Sequence, residues 1–336
     1  MIPEWLRHIV PRTDRQPNAS RPCIVAFGKH PAWDDHLAEE GHWTPGLRDL
    51  KDWLYVRGIA GCIDRGLWDP HTLGVSPTPF NHILVWQKAA ESIAAIVWAS
   101  ADAKGRNRYP MVVAASVPRY VVQDREASKC PHAHQDMLDA ALRHLAGLRE
   151  SCLGLGEPPA VMLAVRNASL ELAGRLVQPP RKALPVVHRS IESIRLTQVA
   201  RGLPPHSHDA LRAIAIHAAR GLSRLSQVGS PPQFHSAFHL RVPLLSHAAL
   251  GESGRAWVSV LGGLLADVDP QRDRLSIEAP DEGVVDLVFG SPRPEHAALL
   301  GMPRLVEPTA DAIPVGEVDE QTQRAVRGLL QQIRPA

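Results

Sequence analysis

The chain has 336 residues, 44% apolar and 21% charged, which suits globular domains with room for two cores and excludes a wholly disordered chain. A formal charge of +2 gives the molecule no general pull toward nucleic acid or anionic lipid. No stretch approaches the roughly 20 uninterrupted apolar residues that span a bilayer, so no membrane insertion is expected.

Residues 1–20 hold Arg7, Arg12 and Arg15 without a continuous apolar core, so they do not read as a secretory signal. Pro3, Pro11 and Pro17 make them an irregular arm. A strand is expected at residues 24–27, ended by Gly28 and the Lys29-His30-Pro31 turn. Past Pro45-Gly46 the period changes. Trp53, Val56, Ala60, Ile63 and Leu67 fall on one helical stripe, with Gly58 and Gly61 placed to allow a close crossing over a sheet. Short β-branched runs at residues 82–86, 93–99 and 109–117 read as strands, the last two joined by a polar hairpin over 100–108. A helix from about Ala133 carries Leu138, Ala141, Leu145 and Leu148 on one face. Strand, helix, three strands and helix make residues 21–156 an α/β domain: an antiparallel sheet flanked by helices.

Residues 157–232 read as a helical middle, where Leu211, Ile214, Ala218, Leu222 and Leu225 form a stripe between proline pairs. Residues 233–336 read as a smaller C-terminal α/β unit. Its strands are expected at 234–242, 257–265, 275–278 and 284–289, and its last helix carries Val326, Leu329, Leu330 and Ile333. The fold class is therefore α/β. Charge is uneven: nine Lys/Arg against Glu192 and Asp209 between Arg175 and Arg224, then thirteen Asp/Glu against four Arg over residues 267–320. Two solvated faces of opposite sign, or a basic docking site for an acidic partner, would both give this pattern.

Cys23, Cys62, Cys130 and Cys152 have no C-x-x-C spacing and lie in apolar or mixed surroundings, as buried thiols of a reducing compartment do. The expected location is the cytoplasm. Seven of the eight tryptophans lie within the first 98 residues. Most should be core, but Trp33 and Trp43 sit in polar loop sequence and are candidate exposed anchors for a partner.

Two motifs in the first domain are informative together. Phe27-Gly28-Lys29-His30-Pro31-Ala32-Trp33-Asp34-Asp35 resembles the G-K-x-P-x-x-G-D signature of the type VI secretion-associated TagF (ImpM) family, which follows that family's first strand. The segment from Trp98 through Ser100, Asp102, Gly105 and Arg106 to Pro110 resembles the family's S-x-D-x-x-G-R-x-x-P hairpin. The matching residues are Gly28, Lys29, Pro31, Asp35, Ser100, Asp102, Gly105, Arg106 and Pro110. Asp34 stands where the family has Gly, and the hairpin holds one extra residue before Pro110. The late Gly290-Ser291-Pro292 is similar to the family's C-terminal G-x-P turn.

The resemblance implies a longin- or profilin-like adaptor fold without enzymatic activity or cofactor. It also implies a regulator of the secretion machine that contacts cytoplasmic components, a forkhead-associated scaffold among them. The residues themselves make sense as turn devices. Gly28 opens a backbone angle closed to other residues, and Asp34, Asp35 and Asp102 can cap backbone N–H groups. Arg106 or Arg108 could reach back to Asp34 or Asp35, so that the motifs face each other. The expected partner-binding surface is Lys29, Trp33, Asp34, Asp35, Asp102, Arg106 and Arg108.

The competing chemistry is a metal-assisted hydrolase using Asp34, Asp35 and His36, with His30 and His82 in the same domain. Carboxylate and imidazole are suitable ligands, but consecutive residues cannot all face one ion on regular structure. His132-x-His134 and His206-x-His208 read as helix-start histidines beside proline turns. No G-x-S-x-G elbow and no phosphate loop occurs, because Gly262-Gly263 and Gly251-x-x-Gly254 lack the Lys-Ser/Thr that would complete one. Lys104, Arg106 and Arg108 lack the interleaved aromatics of a nucleic-acid surface, so no nucleic-acid partner is expected.

Overall fold

A computed structural model describes residues 22–37, 39–66, 68, 79–119, 133–177, 214, 215, 218, 238–245, 248–262 and 273–301. The expected arm at 1–20, the basic run at 175–224 beyond Val177, Cys130, the His206-x-His208 pair and the last helix lie outside these residues, apart from Ile214, Ala215 and Ala218.

Runs of apolar and β-branched residues that lack polar alternation are expected to be buried on both faces, and they pair here into one antiparallel sheet. Its strands are β1 (Cys23–Gly28), β2 (Glu40–Gly41), β3 (Asn81–Gln87), β4 (Glu91–Trp98), β5 (Met111–Pro118), β6 (Phe238–Pro243), β7 (Arg274–Ala279) and β8 (Val284–Phe289). Their order is β2-β1-β5-β4-β3-β7-β8-β6. The expected strands at 24–27, 82–86, 93–99, 109–117, 275–278 and 284–289 fall on these elements, as does the 238–242 part of the strand expected at 234–242, whose first four residues lie outside the described ones. The 100–108 hairpin joins β4 to β5, with Trp98 opposite Met111.

β3 pairs with β7 through Trp86 and Leu275, and β7 pairs with β8 through Leu275 and Val288. The sheet thus crosses the boundary that the sequence places between the first domain and the C-terminal unit. Strands from both segments share one hydrogen-bonded layer.

Two helices follow β5: α3 (Ala133–Leu153) and α4 (Pro158–Val177). Leu138, Ala141, Leu145 and Leu148 of α3 are all buried against one face of the sheet. The first helix of the expected helical middle, α4, also packs there. Its Ser169 hydroxyl accepts the Ile24 N–H at 3.1 Å. Further along the same face, α5 (Glu252–Gly262) covers β6 and β8.

Helix α5 corrects the expected strand at 257–265. Ser253, Gly254, Arg255, Ala256, Trp257, Val258, Val260 and Leu261 are buried, and the apolar ones crowd into residues 256–261, a run interrupted by Ser259 alone. A short apolar run of this kind cannot be told from a strand by period. The start is held by side chains the run does not contain. Glu278 of β7 accepts the Gly251 and Gly254 N–H groups at 3.0 and 2.7 Å.

The opposite face is covered by a helical run and a 3-10 helix at Pro294–Leu300. The run is α1 (Pro45–Lys51), a π-helical stretch at Asp52–Ile59 and α2 (Ala60–Asp64). Thr44 caps it by accepting the Leu47 N–H, and Glu91 accepts the Gly46 N–H at 2.7 Å. The π turns shift the buried face to Leu50, Trp53, Leu54, Tyr55, Ile59 and Cys62, and they leave Val56 exposed. The expected stripe assumed 3.6 residues per turn, which fails where the helix widens. Gly58 does permit a close crossing, but over the 3-10 helix: a Cβ there would lie 2.4 Å from the Ala297 Cβ. Gly61 faces open space apart from Arg65.

Candidate functional site

Gly28 ends β1 with φ of 119°, and a Cβ at that position would sit 2.2 Å from the Pro110 carbonyl oxygen. Only glycine lets the chain turn while lying this close to the hairpin. Lys29 then donates its N–H to Pro110 O at 3.2 Å, and Leu37 donates to Gly28 O at 2.8 Å, closing residues 29–37 into a loop. A second backbone tie between the two motifs runs from Ala103 N–H to Trp33 O at 2.8 Å.

His30 anchors that loop from below. Its Nδ1 accepts the Ala32 N–H, which leaves the proton on Nε2, and Nε2 donates to Cys152 O at the end of α3 at 3.0 Å. Trp33 packs edge-on against the His30 ring, with centroids 5.5 Å apart. Trp33 and Trp43 are both half-buried, and each packs against a core on a different face of the sheet.

Asp102 organises the hairpin. One carboxylate oxygen accepts the Lys104 and Arg106 N–H groups, both at 3.0 Å. The other accepts Lys29 Nζ at 2.9 Å and Arg106 Nε at 2.7 Å. Arg106 continues outward: Nη2 donates to the Asp34 carbonyl at 2.6 Å and to Asp35 Oδ1 at 3.3 Å. Lys29 also pairs with Asp35. Two cations and two carboxylates thus form a closed ring across the motifs, with Lys29 and Asp102 buried and Asp35 and Arg106 at the surface.

The charges reinforce one another. Burial opposes the Lys29 ammonium, but its hydrogen bonds to Asp35 and Asp102 outweigh this and hold its pKa above the ordinary lysine value. The Lys29 hydrogen bond is likewise the largest influence holding Asp35 below the usual carboxylate range. Burial would raise Asp102, yet the bonds from Lys29 and from the amide and side chain of Arg106 overcome it and keep the carboxyl ionised.

The contact expected between an arginine and Asp34 or Asp35 is made by Arg106. It is bridging rather than bidentate, and it reaches Asp34 through the backbone. The Asp34 carboxylate lies 3.9 Å from Lys104, and Arg108 forms no ion pair among the described residues. Gly105 turns the hairpin at φ of 76°, and Ser100 and Pro110 flank it without entering the charge ring. Pro31 is an exposed turn residue in the loop.

Asp34, Asp35 and His36 do not converge as ligands. His36 Nδ1 is 3.0 Å from Asp35 Oδ1, but that oxygen also faces Lys29 and Arg106, while Asp34 points toward Lys104. No cluster of three ligating side chains able to hold a metal occurs among the described residues. His82 lies on β3 opposite Val97 and is buried, which pushes its pKa down to about 4. His134 is bound to the Ser92 hydroxyl at 2.9 Å.

Below the ring lies an aromatic cluster that spacing alone did not disclose. His36 packs edge-on to Tyr55 and Tyr109, Tyr55 packs edge-on to Phe27, and Phe27 lies 5.7 Å from Trp43. The Tyr55 hydroxyl is buried without a partner among the described residues, and burial raises its pKa, with Tyr109 and Asp35 adding to the effect. Tyr55 escaped the sequence pattern because the π turns bring it inward between stripe positions.

The molecule is thus a mixed α/β protein with an eight-stranded antiparallel sheet and a cross-linked polar rim at one sheet end. No helix among the described residues is long and apolar enough to cross a membrane. No protein-family model matches the chain, and no curated protein matches it.

Proposed function

We propose that this protein is a non-enzymatic interaction protein, a TagF-like regulator that docks on cytoplasmic components of a type VI secretion machine. Its longin- or profilin-like adaptor architecture would present the rim as the docking surface. One observation carries the reading: the two segments that resemble the family's motifs lie against each other in one charge ring, Lys29–Asp102–Arg106–Asp35. A ring with its cations and carboxylates already paired has a fixed shape and little free charge. That suits recognition of a complementary protein surface better than acid–base chemistry, which needs a group free to exchange a proton.

The test is affinity capture with the native chain, using purified secretion components that include a forkhead-associated scaffold. The native chain should retain at least one of them, and Arg106→Glu, which sets a carboxylate against Asp35 and Asp102, should release it. Failure of the native chain to retain any of them overturns the reading.

A further inference from the structure

Residues 39–56 leave a groove of about 330 Å3 lined by Glu39, Trp43, Arg48, Lys51, Asp52 and Val56. That volume is at the lower end for sites that enclose a ligand, enough for one large side chain and its flanking backbone. Its apolar part is formed by the Trp43 ring and by Val56. Val56 is 53% exposed, and it is the one exposed large aliphatic or aromatic side chain among the described residues between 22 and 119. Its exposure has a local cause. The π stretch turns Trp53, Leu54 and Tyr55 inward consecutively and rotates Val56 out. π turns are rare and concentrate at functional sites.

The charges around the groove leave one cation over. Lys51 pairs with Glu39, and Arg57 pairs with Asp52 at 2.5 Å. Arg48 is exposed and has no ion pair among the described residues. The Lys51 ammonium also lies 5.7 Å from the centre of the Trp43 ring. The Trp43 indole N–H is buried without an acceptor among the described residues, an unsatisfied donor in the groove wall. Ring contacts run unbroken from Trp43 through Phe27 and Tyr55 to His36, so the groove adjoins the rim.

We propose that the groove docks a short partner-protein segment carrying one apolar side chain beside a carboxylate. The apolar side chain covers Val56 and the Trp43 ring, and the carboxylate pairs with Arg48. Glu39 and Asp52 in the wall disfavour a polyanion such as nucleic acid, whereas a single carboxylate needs only the unpaired guanidinium. This rests on the protein-docking reading above and names the chemistry of the partner.

The test is titration of the full chain with the capped peptide acetyl-Glu-Leu-Phe-Glu-amide, with acetyl-Lys-Leu-Phe-Lys-amide as control, followed by the indole N–H resonance of Trp43. The acidic peptide should shift that resonance saturably, and Arg48→Glu and Val56→Asp should each weaken binding about tenfold. Both side chains are exposed, so unchanged circular dichroism is expected to show that the variants are folded. Equal response to the two peptides, or acidic-peptide binding that survives both substitutions, overturns the proposal. The two readings fail separately. Loss of component capture with intact peptide binding removes the secretion role alone, and absent peptide binding with intact capture removes the groove alone.

Discussion

The Lys29 ammonium and the Asp102 carboxylate meet at 2.9 Å across 73 residues of sequence, and both side chains are buried. Lys29 belongs to the loop after β1 and Asp102 to the hairpin after β4, so this contact makes the two turns one surface. Asp102 also holds the Lys104 and Arg106 amides. Asp102→Ala should therefore accelerate amide hydrogen exchange in both 29–37 and 103–108, while Arg108→Ala leaves both unchanged. A rise confined to the hairpin would show that the loop does not depend on the pair.

Arg241 and Asp286 pair at the far end of the sheet. Both side chains are buried, with Arg241 Nε and Nη2 on the two carboxylate oxygens at 2.8 and 2.7 Å and His239 on one of them at 2.7 Å. Removing one member of a buried pair strands the other charge, so Asp286→Ala should cost about 3–5 kcal/mol. The double change Arg241→Met with Asp286→Leu should recover most of that. Urea denaturation midpoints measure both, and a loss below about 1 kcal/mol for Asp286→Ala would mean that water reaches Arg241.

How far the sequence could be read depends on which interactions are local. Strand β8 was legible to the residue, because its apolar run, broken only by Asp286, is bounded by Gly283 and Gly290. Helix α3 was legible because one face is solvated, which preserves the period. Helix α5 was not, since its apolar side chains fall in one short run over residues 256–261, which reads equally as a strand. The motif turns were visible through Gly28, Asp102 and Gly105, whose roles are set by nearby backbone. The Lys29–Asp102 pairing and the contact of Tyr55 with His36 were not visible. They arise from chain segments that only the completed sheet brings together.

Gly58 and Gly61 lie one turn apart, yet they should respond with opposite signs. A methyl at Gly58 meets Ala297 Cβ at 2.4 Å and Trp53 O at 2.5 Å, so Gly58→Ala should destabilise by about 1–3 kcal/mol through overpacking. At Gly61 the nearest atom is the flexible Arg65 end at 3.6 Å, and Gly61→Ala should stabilise by about 0.5–1 kcal/mol through helix propensity. Thermal unfolding of the two variants decides the matter. Equal signs would show that the crossing with the 3-10 helix is not tight.

Stability should peak near pH 6.5, because buried groups pull in opposite directions. Burial pushes His82, His134 and His296 down to about 4, so between pH 4 and 6.5 the unfolded chain binds more protons there and stability rises with pH. Burial pushes Glu278 up to about 7, against the Gly254 and Gly251 N–H bonds that favour its ionised form. Between pH 4.5 and 7 the folded chain therefore holds the extra proton, and stability falls as pH rises. Three histidines outweigh one carboxyl up to pH 6.5, and Glu278 acts alone from there to pH 7. In Glu278→Gln the opposing slope disappears, so its stability relative to the native chain should improve by on the order of 3 kcal/mol between pH 4.5 and 7. Urea melts across that range give the difference at each pH. A constant offset between the two proteins would show that Glu278 stays ionised at the start of α5 throughout.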